Sequence, residues 1–174
     1  LLNADYRNAK ARNSPQQVDA AGVQALLTAA APDLQRFVFV SSCGVERQDQ
    51  PPYSLLNAFG VLEAKQQGEQ AIIQSGLPYT IIRPGRLIDG PFTSSDLNTL
   101  LQAKTAGKLG VKIGTGDQLN GQSSRIDVAA ACVESLRHPG TINQTVELVN
   151  QGARPEVIDW GSLFAELPTV SRLA

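Results

Sequence analysis

Apolar and polar positions follow two rhythms along this chain. Val18, Ala21, Ala25 and Ala29, with Leu26 and Leu27 alongside, recur at helical spacing. Ser14-Pro15-Gln16-Gln17 precedes them. Ser14 is a capping residue, Pro15 suits the first helical position, and Gln17 completes a capping box. The spacing predicts a helix to about Ala31, where Pro32 stops it. "RFVFVSS" is a short β-branched and aromatic run bounded by polar residues, and it predicts a strand buried on both faces. The Gln- and Pro-rich stretch 45–56 reads as a loop. A second helix is predicted from about Ala58 to Ser75, with Val61, Leu62, Ala64, Ala71 and Ile72 turned inward. Gly76 is its C′ residue and Pro78 lies just beyond. "YTIIRPG" predicts the next buried strand.

After Gly90-Pro91 the rhythm loosens. "SDLNTLLQA" predicts a short helix and "GVKIGTG" a strand or turn. "QSSRI" predicts a strand feeding a helix that Asp127 caps. "TVELVN" alternates as a strand, and "DWGSLFAEL" predicts a last helix. Strands and helices alternating at these spacings predict an α/β fold with a parallel sheet. No linker divides the chain, and 174 residues suffice for one core.

Composition narrows the function classes. A hydrophobic content of 42% with 18% charge fits a globular protein, and 5% aromatics leaves the core to aliphatic residues. The net charge of −1, without a basic run, argues against a nucleic-acid surface. No stretch reaches the roughly 18 apolar residues that span a bilayer. The two cysteines, Cys43 and Cys132, lie far apart and the chain has a single histidine, so no metal site is expected. Cys132 reads as a small core residue, and Cys43, after a strand end, as the more accessible thiol. His138 is expected to interact with the end of its helix, and Trp160 to pack. The chain has no methionine, so it is expected to be a processed or incomplete form of a longer protein.

Open α/β sheets bind ligands outside the carboxyl ends of their strands. Three such ends here are polar or carry Gly-Pro content. They are Ser41-Ser42-Cys43-Gly44, Arg83-Pro84-Gly85-Arg86 and Gly114-Thr115-Gly116-Asp117. The first two are expected side by side, with Lys65 reaching the same crevice from the intervening helix. Each residue also has a structural reading. Ser41 and Ser42 suit a strand-end cap. Lys65 suits a solvated helix face with Glu69 one turn on. Arg83 or Arg86 suits an ion pair with Asp89 or Glu63.

"RFVFVSSCGV", "LPYTIIRPGRL", "GPFTS", "LNTLL" and "SRIDVAAACVESL" together resemble the atypical short-chain dehydrogenase/reductases, in their NmrA-like and plastid or cyanobacterial NAD(P)-binding branch. The resemblance covers about residues 14–150. It implies a Rossmann-type doubly wound parallel sheet. It also implies that this sheet is incomplete, because the first βαβ units and their Gly-rich phosphate turn have no counterpart here. Residues 14–90 would then form the parallel core, and 91–174 a small substrate or C-terminal region. A whole protein of roughly 250–300 residues is expected on the usual size of such domains. "RFVFV" would be left as an apolar edge.

The resemblance implies a nicotinamide dinucleotide, NAD or NADP with NADP preferred, bound by Ser41, Ser42, Lys65, Pro84, Gly85 and Arg86. It implies Ser42 and Lys65 as catalytic residues. The family's tyrosine position is Val61, which has no proton to give. Tyr53, eight residues upstream, is an alternative donor. Two functions follow as expectations: a redox-linked reductase or cofactor sensor, or a scaffold docking to a photosynthetic or envelope complex. The implied location is a chloroplast, or a cyanobacterial or bacterial cytoplasm.

Overall fold

A computed structural model describes residues 11–88 and 108–168 of the chain. The helix expected over 95–103 lies outside the described residues. The first helix opens with a π-helical segment, Gln16–Ala21, and continues as α1, Gly22–Ala29. Ser14 accepts from the Gln17 amide through Oγ at 3.3 Å. The reciprocal half of the expected capping box is not made. The Ser14 amide donates to the Ala11 carbonyl at 2.9 Å instead.

Strand β1, Phe37–Val40, leads to a short helix α2, Tyr53–Leu56, within what reads in the sequence as loop. A single 3-10 turn, Asn57–Phe59, then opens into α3, Val61–Gln74. Asn57 Oδ1 accepts from the amides of Leu62 and Glu63, so a side chain ahead of the helix satisfies its first free donors. Gly76 ends it with φ of +75°, as the sequence predicts. Strands β2, Tyr79–Pro84, β3, Arg86–Leu87, β4, Leu109–Gly114, and β5, Gln122–Ser123, follow. Helix α4, Arg125–Arg137, strand β6, Gln144–Ala153, and helix α5, Trp160–Ala165, complete the described fold.

Among the described residues the sheet has six strands in the order β1-β2-β6-β5-β3, with β4 also on β6. β1, β2 and β6 are parallel. β4 runs antiparallel to β6, so the sheet is mixed at that edge. The first helix and α3 cover one face, where Val23, Leu27, Ile72 and Ile81 form a core. On the other face, Val128 and Ala131 of α4 pack on Ile82 and Leu148, and Phe164 of α5 on Ile113 and Val146. Helices on both faces make this the doubly wound arrangement expected.

Two expectations change. β1 is an edge among the described residues, as the missing first units imply, but with Val40 41% exposed it is not buried on both faces. β6 does not alternate, because from Val146 to Asn150 it is buried throughout. A central strand with both faces covered has no solvent side to alternate toward. Its polar residues are therefore paired internally. Asn150 Nδ2 donates to Asp127 at 2.7 Å, and Arg154 grips the same carboxylate at 3.0 Å. Asp127 thus holds α4 to β6, while Ser124 caps α4 by accepting from the Ile126 amide. His138 closes α4, its Nδ1 at 2.8 Å from the Glu134 carbonyl, and Trp160 packs beside Phe164, as expected.

Candidate functional site

Parallel pairing brings the carboxyl ends of β1 and β2 together. The Ser41 amide donates to Ile82 at 2.8 Å and the Cys43 amide to Pro84 at 2.9 Å. The loop after β4 closes onto the same end. Asp117, 1% exposed, accepts from the amides of Gly44 at 2.6 Å and Glu46 at 2.8 Å, and from Arg47 at 3.2 Å. Burial opposes its charge, but the Gly44 amide, Arg47 and the Glu46 amide outweigh burial and hold the carboxyl below its ordinary value. All three predicted strand ends therefore converge.

The first two, with Tyr53 and residues 120–122, line a pocket of about 550 Å³, a size suited to a small molecule, while Asp117 braces the first from behind. Ser42, Cys43, Gly85 and Arg86 line it with Tyr53 and Asn120. Pro52, Leu55 and Leu56 supply apolar lining. The Tyr53 ring fills the space above Gly44, where a Cβ would sit 2.0 Å from the ring. Gly44 has φ of +88°, so a bare backbone is required there on two counts. The Tyr53 hydroxyl donates to Asn120 Oδ1 and accepts from Arg47 Nη2 at 3.3 Å. The Arg47 guanidinium also stands 4.7 Å from the ring centre. Burial raises the Tyr53 phenol above its ordinary value against the pull of Arg47. Arg47 is held in turn by Asp117, by the Leu119 carbonyl at 2.9 Å and by Asn120 at 3.0 Å.

The predicted site residues divide. Ser42 is half-buried in the pocket lining, with its hydroxyl on the Cys43 carbonyl at 2.9 Å. Ser41 is buried, and its Oγ has no hydrogen-bond partner among the described residues. The Gly85 amide donates to Leu148 at 3.0 Å and to Ser123 Oγ at 2.8 Å, and the Pro84 carbonyl accepts from Cys43. This turn therefore spends its backbone groups inside the protein. Arg86 is exposed.

Lys65 does not line the pocket. Its ammonium pairs with Asp19 of the first helix at 3.0 Å and stands 5.9 Å from the Phe39 ring. Glu69, its expected helical partner, faces the sheet instead, where it clamps Arg83 at 3.0 and 2.6 Å. Arg83 also meets Glu46 at 2.8 Å, so its acids are these and not Asp89 or Glu63. Cys43 is buried at 3% exposure and donates to the Arg83 carbonyl at 3.1 Å. Burial pushes its thiol up to about 12, with Glu147 and Asp117 adding to the rise. It is a structural thiol and not the accessible one expected. Cys43, Asp117 and Glu147 lie close enough to hold an ion. Both Asp117 oxygens, however, accept N–H donors, and Arg47 and Arg83 face the group. Arg47 and Asn120 carry no sequence signal of a role, since each is one polar residue in a polar loop.

Residues 6–139 match the model of a family described as NAD(P)H-binding. The chain belongs to this NAD(P)H-binding family. It is 32% identical over 164 residues to sanguinarine reductase of Eschscholzia californica, covering 89% of this chain and 54% of that one. It is 30% identical over 162 residues to an uncharacterized chloroplastic protein of Arabidopsis thaliana, covering 89% and 45%. The chain thus spans about half the length of these curated relatives. Among solved structures, one from Bacillus halodurans, described as a candidate NAD-dependent epimerase/dehydratase, superposes with a TM-score of 0.62. That match has 28% identity and covers 84% of this chain and 60% of the other. Within the NAD(P)H-binding family, the orphaned Ser41 hydroxyl fits the group. It is a buried polar atom without a partner among the described residues, at the carboxyl end of β1 where open α/β sheets take their ligands.

Proposed function

We propose that this chain carries the substrate half of an NAD(P)H-dependent reductase acting on a carbonyl or quinone-like compound. The pocket supports the reading most directly. It sits at the carboxyl ends of β1 and β2, carries a few polar groups in an apolar lining, and includes Ser42. Ser41 and Ser42 hold the nicotinamide end and the substrate oxygen, and Gly85 and Arg86 form the adjoining wall. The nicotinamide supplies a hydride when bound, and the Ser42 hydroxyl orients the carbonyl. Lys65, paired with Asp19, positions the first helix against α3. The relatives' chloroplastic naming supports a chloroplast location. NADPH is the expected form of the cofactor, and separate titrations with NADPH and NADH measure the preference.

The test is turnover by the full-length protein. NADPH oxidation that depends on a carbonyl or quinone probe, and falls at least tenfold in Ser42→Ala, supports the reading. Saturable cofactor binding with no oxidation across a carbonyl panel supports a second reading, a cofactor-sensing scaffold in a protein complex. Val61 at the tyrosine position and the Lys65–Asp19 pair favour that alternative.

A further inference from the structure

We propose that Tyr53 is the proton donor of this pocket and that the substrate is a neutral, largely apolar ring compound carrying a carbonyl; this rests on the reductase reading above. Val61 cannot protonate anything, so a reductase here needs another acid. Tyr53 is the hydroxyl-bearing aromatic that lines the pocket with Ser42. It is also built for the task. Gly44 lets the ring settle against the backbone, and Asn120 Oδ1 holds the hydroxyl hydrogen. Arg47 Nη2 donates to the hydroxyl oxygen from 3.3 Å. A fixed cation in that place favours the phenolate and offsets part of the rise that burial imposes on the phenol. The titratable groups facing Tyr53 are Arg47, Cys43 and Asp117, and Asp117 locks Arg47 in place.

The substrate class follows from the lining. No carboxylate lines the pocket among the described residues, and Arg86 is its charged group. A cationic ring would find no counter-charge there. Leu55 and Leu56 are 81% and 59% exposed, apolar surface that a ring compound would cover. When bound, NAD(P)H supplies the hydride and is oxidised as the carbonyl carbon is reduced. The Tyr53 hydroxyl turns its hydrogen from Asn120 Oδ1 toward the carbonyl oxygen and passes the proton there as the C=O π bond opens, leaving an alcohol. Arg47 holds the phenolate until solvent returns the proton.

The experiment compares wild type with Tyr53→Phe in the full-length protein. The phenylalanine ring keeps the packing against Gly44 and removes only the hydroxyl. Two probes share one ring system, 9,10-phenanthrenequinone and phenanthrene. Without cofactor, the variant should lose about three- to tenfold in quinone affinity and nothing in phenanthrene affinity, as one lost hydrogen bond predicts. With NADPH, its turnover should fall about a hundredfold or more and lose the alkaline limb of the pH profile. Unchanged quinone affinity, or an equal loss for both probes, overturns the role of Tyr53. Tyr53-dependent binding without NADPH oxidation removes the proton transfer and overturns the proposal. A wild type that binds neither probe overturns the reductase reading itself.

Discussion

At the scale of single residues, buried charge organises this protein more than any exposed group does. Arg83 is 4% exposed near the carboxyl end of β2 and pairs with Glu69, which is 2% exposed on α3. Removing Glu69 leaves Arg83 only the more exposed Glu46, so Glu69→Gln should cost about 3 kcal/mol in urea denaturation, the low end for a broken buried pair. Replacing both, as Arg83→Met with Glu69→Leu, should cost less than the single change. An equal or larger loss in the double variant contradicts this account. Asp117 gives a pH prediction. Its carboxyl is depressed in the folded state, so its stabilisation is full above the ordinary aspartate value of about 3.9 and is lost as pH falls through the folded value. Asp117→Asn should therefore lower stability at neutral pH and flatten the acid limb of thermal unfolding below about pH 4. A variant whose acid limb matches wild type would show that Asp117 titrates alike folded and unfolded. None of these partnerships is legible in sequence. Glu69 and Lys65 share a helix and look like an ordinary surface pair, and only the sheet geometry sends one to Arg83 and the other to Asp19.

At the scale of elements, the sequence is a better guide. The helical spacing of Val61 to Ile72, the C′ glycine at 76 and the buried run of β2 all stand where the pattern puts them. An apolar run by itself does not tell an edge strand from a central one, so the run of β1 reads as buried while the missing first units read as an edge, and the edge is what the sheet shows. Likewise, Ser124 and Asp127 are both good capping types, and only the position of Arg154 assigns Asp127 to an ion pair. The crossing of α3 with the first helix turns on Gly68, where a Cβ would stand 2.2 Å from the Asp19 carbonyl oxygen. Backbone cannot yield as a side chain does, so Gly68→Ala should cost about 1–3 kcal/mol through overpacking. Gly76→Ala has open space and meets only the left-handed backbone, for about 1 kcal/mol. Denaturant midpoints of the two variants check the order, and an equal loss would mean that the helices slide apart without strain. The Gly68 crossing also holds Asp19 at Lys65, so the same contact fixes where that ammonium points.

At the scale of the whole molecule, the sheet brings the ends of β1 and β2 to one pocket and leaves β1 as an apolar edge among the described residues. An exposed Val40 on such an edge invites pairing between chains. Val40→Lys should reduce light scattering by the 174-residue polypeptide without lowering its melting temperature, and unchanged scattering would place the sticky surface elsewhere. The pocket itself was half legible. Ser42 and Gly85 follow from the rule that ligands sit at strand ends, while Tyr53 reaches it from a short helix inside a Pro-rich stretch and Asn120 from a loop, neither of which periodicity records. The central claim is that this pocket works on a carbonyl beside a nicotinamide. The most direct measurement is NADPH oxidation by the full-length protein with 9,10-phenanthrenequinone. The account predicts saturable turnover that Ser42→Ala lowers at least tenfold. Wild-type protein that binds NADPH and never oxidises it, with that probe or any other carbonyl, would contradict it.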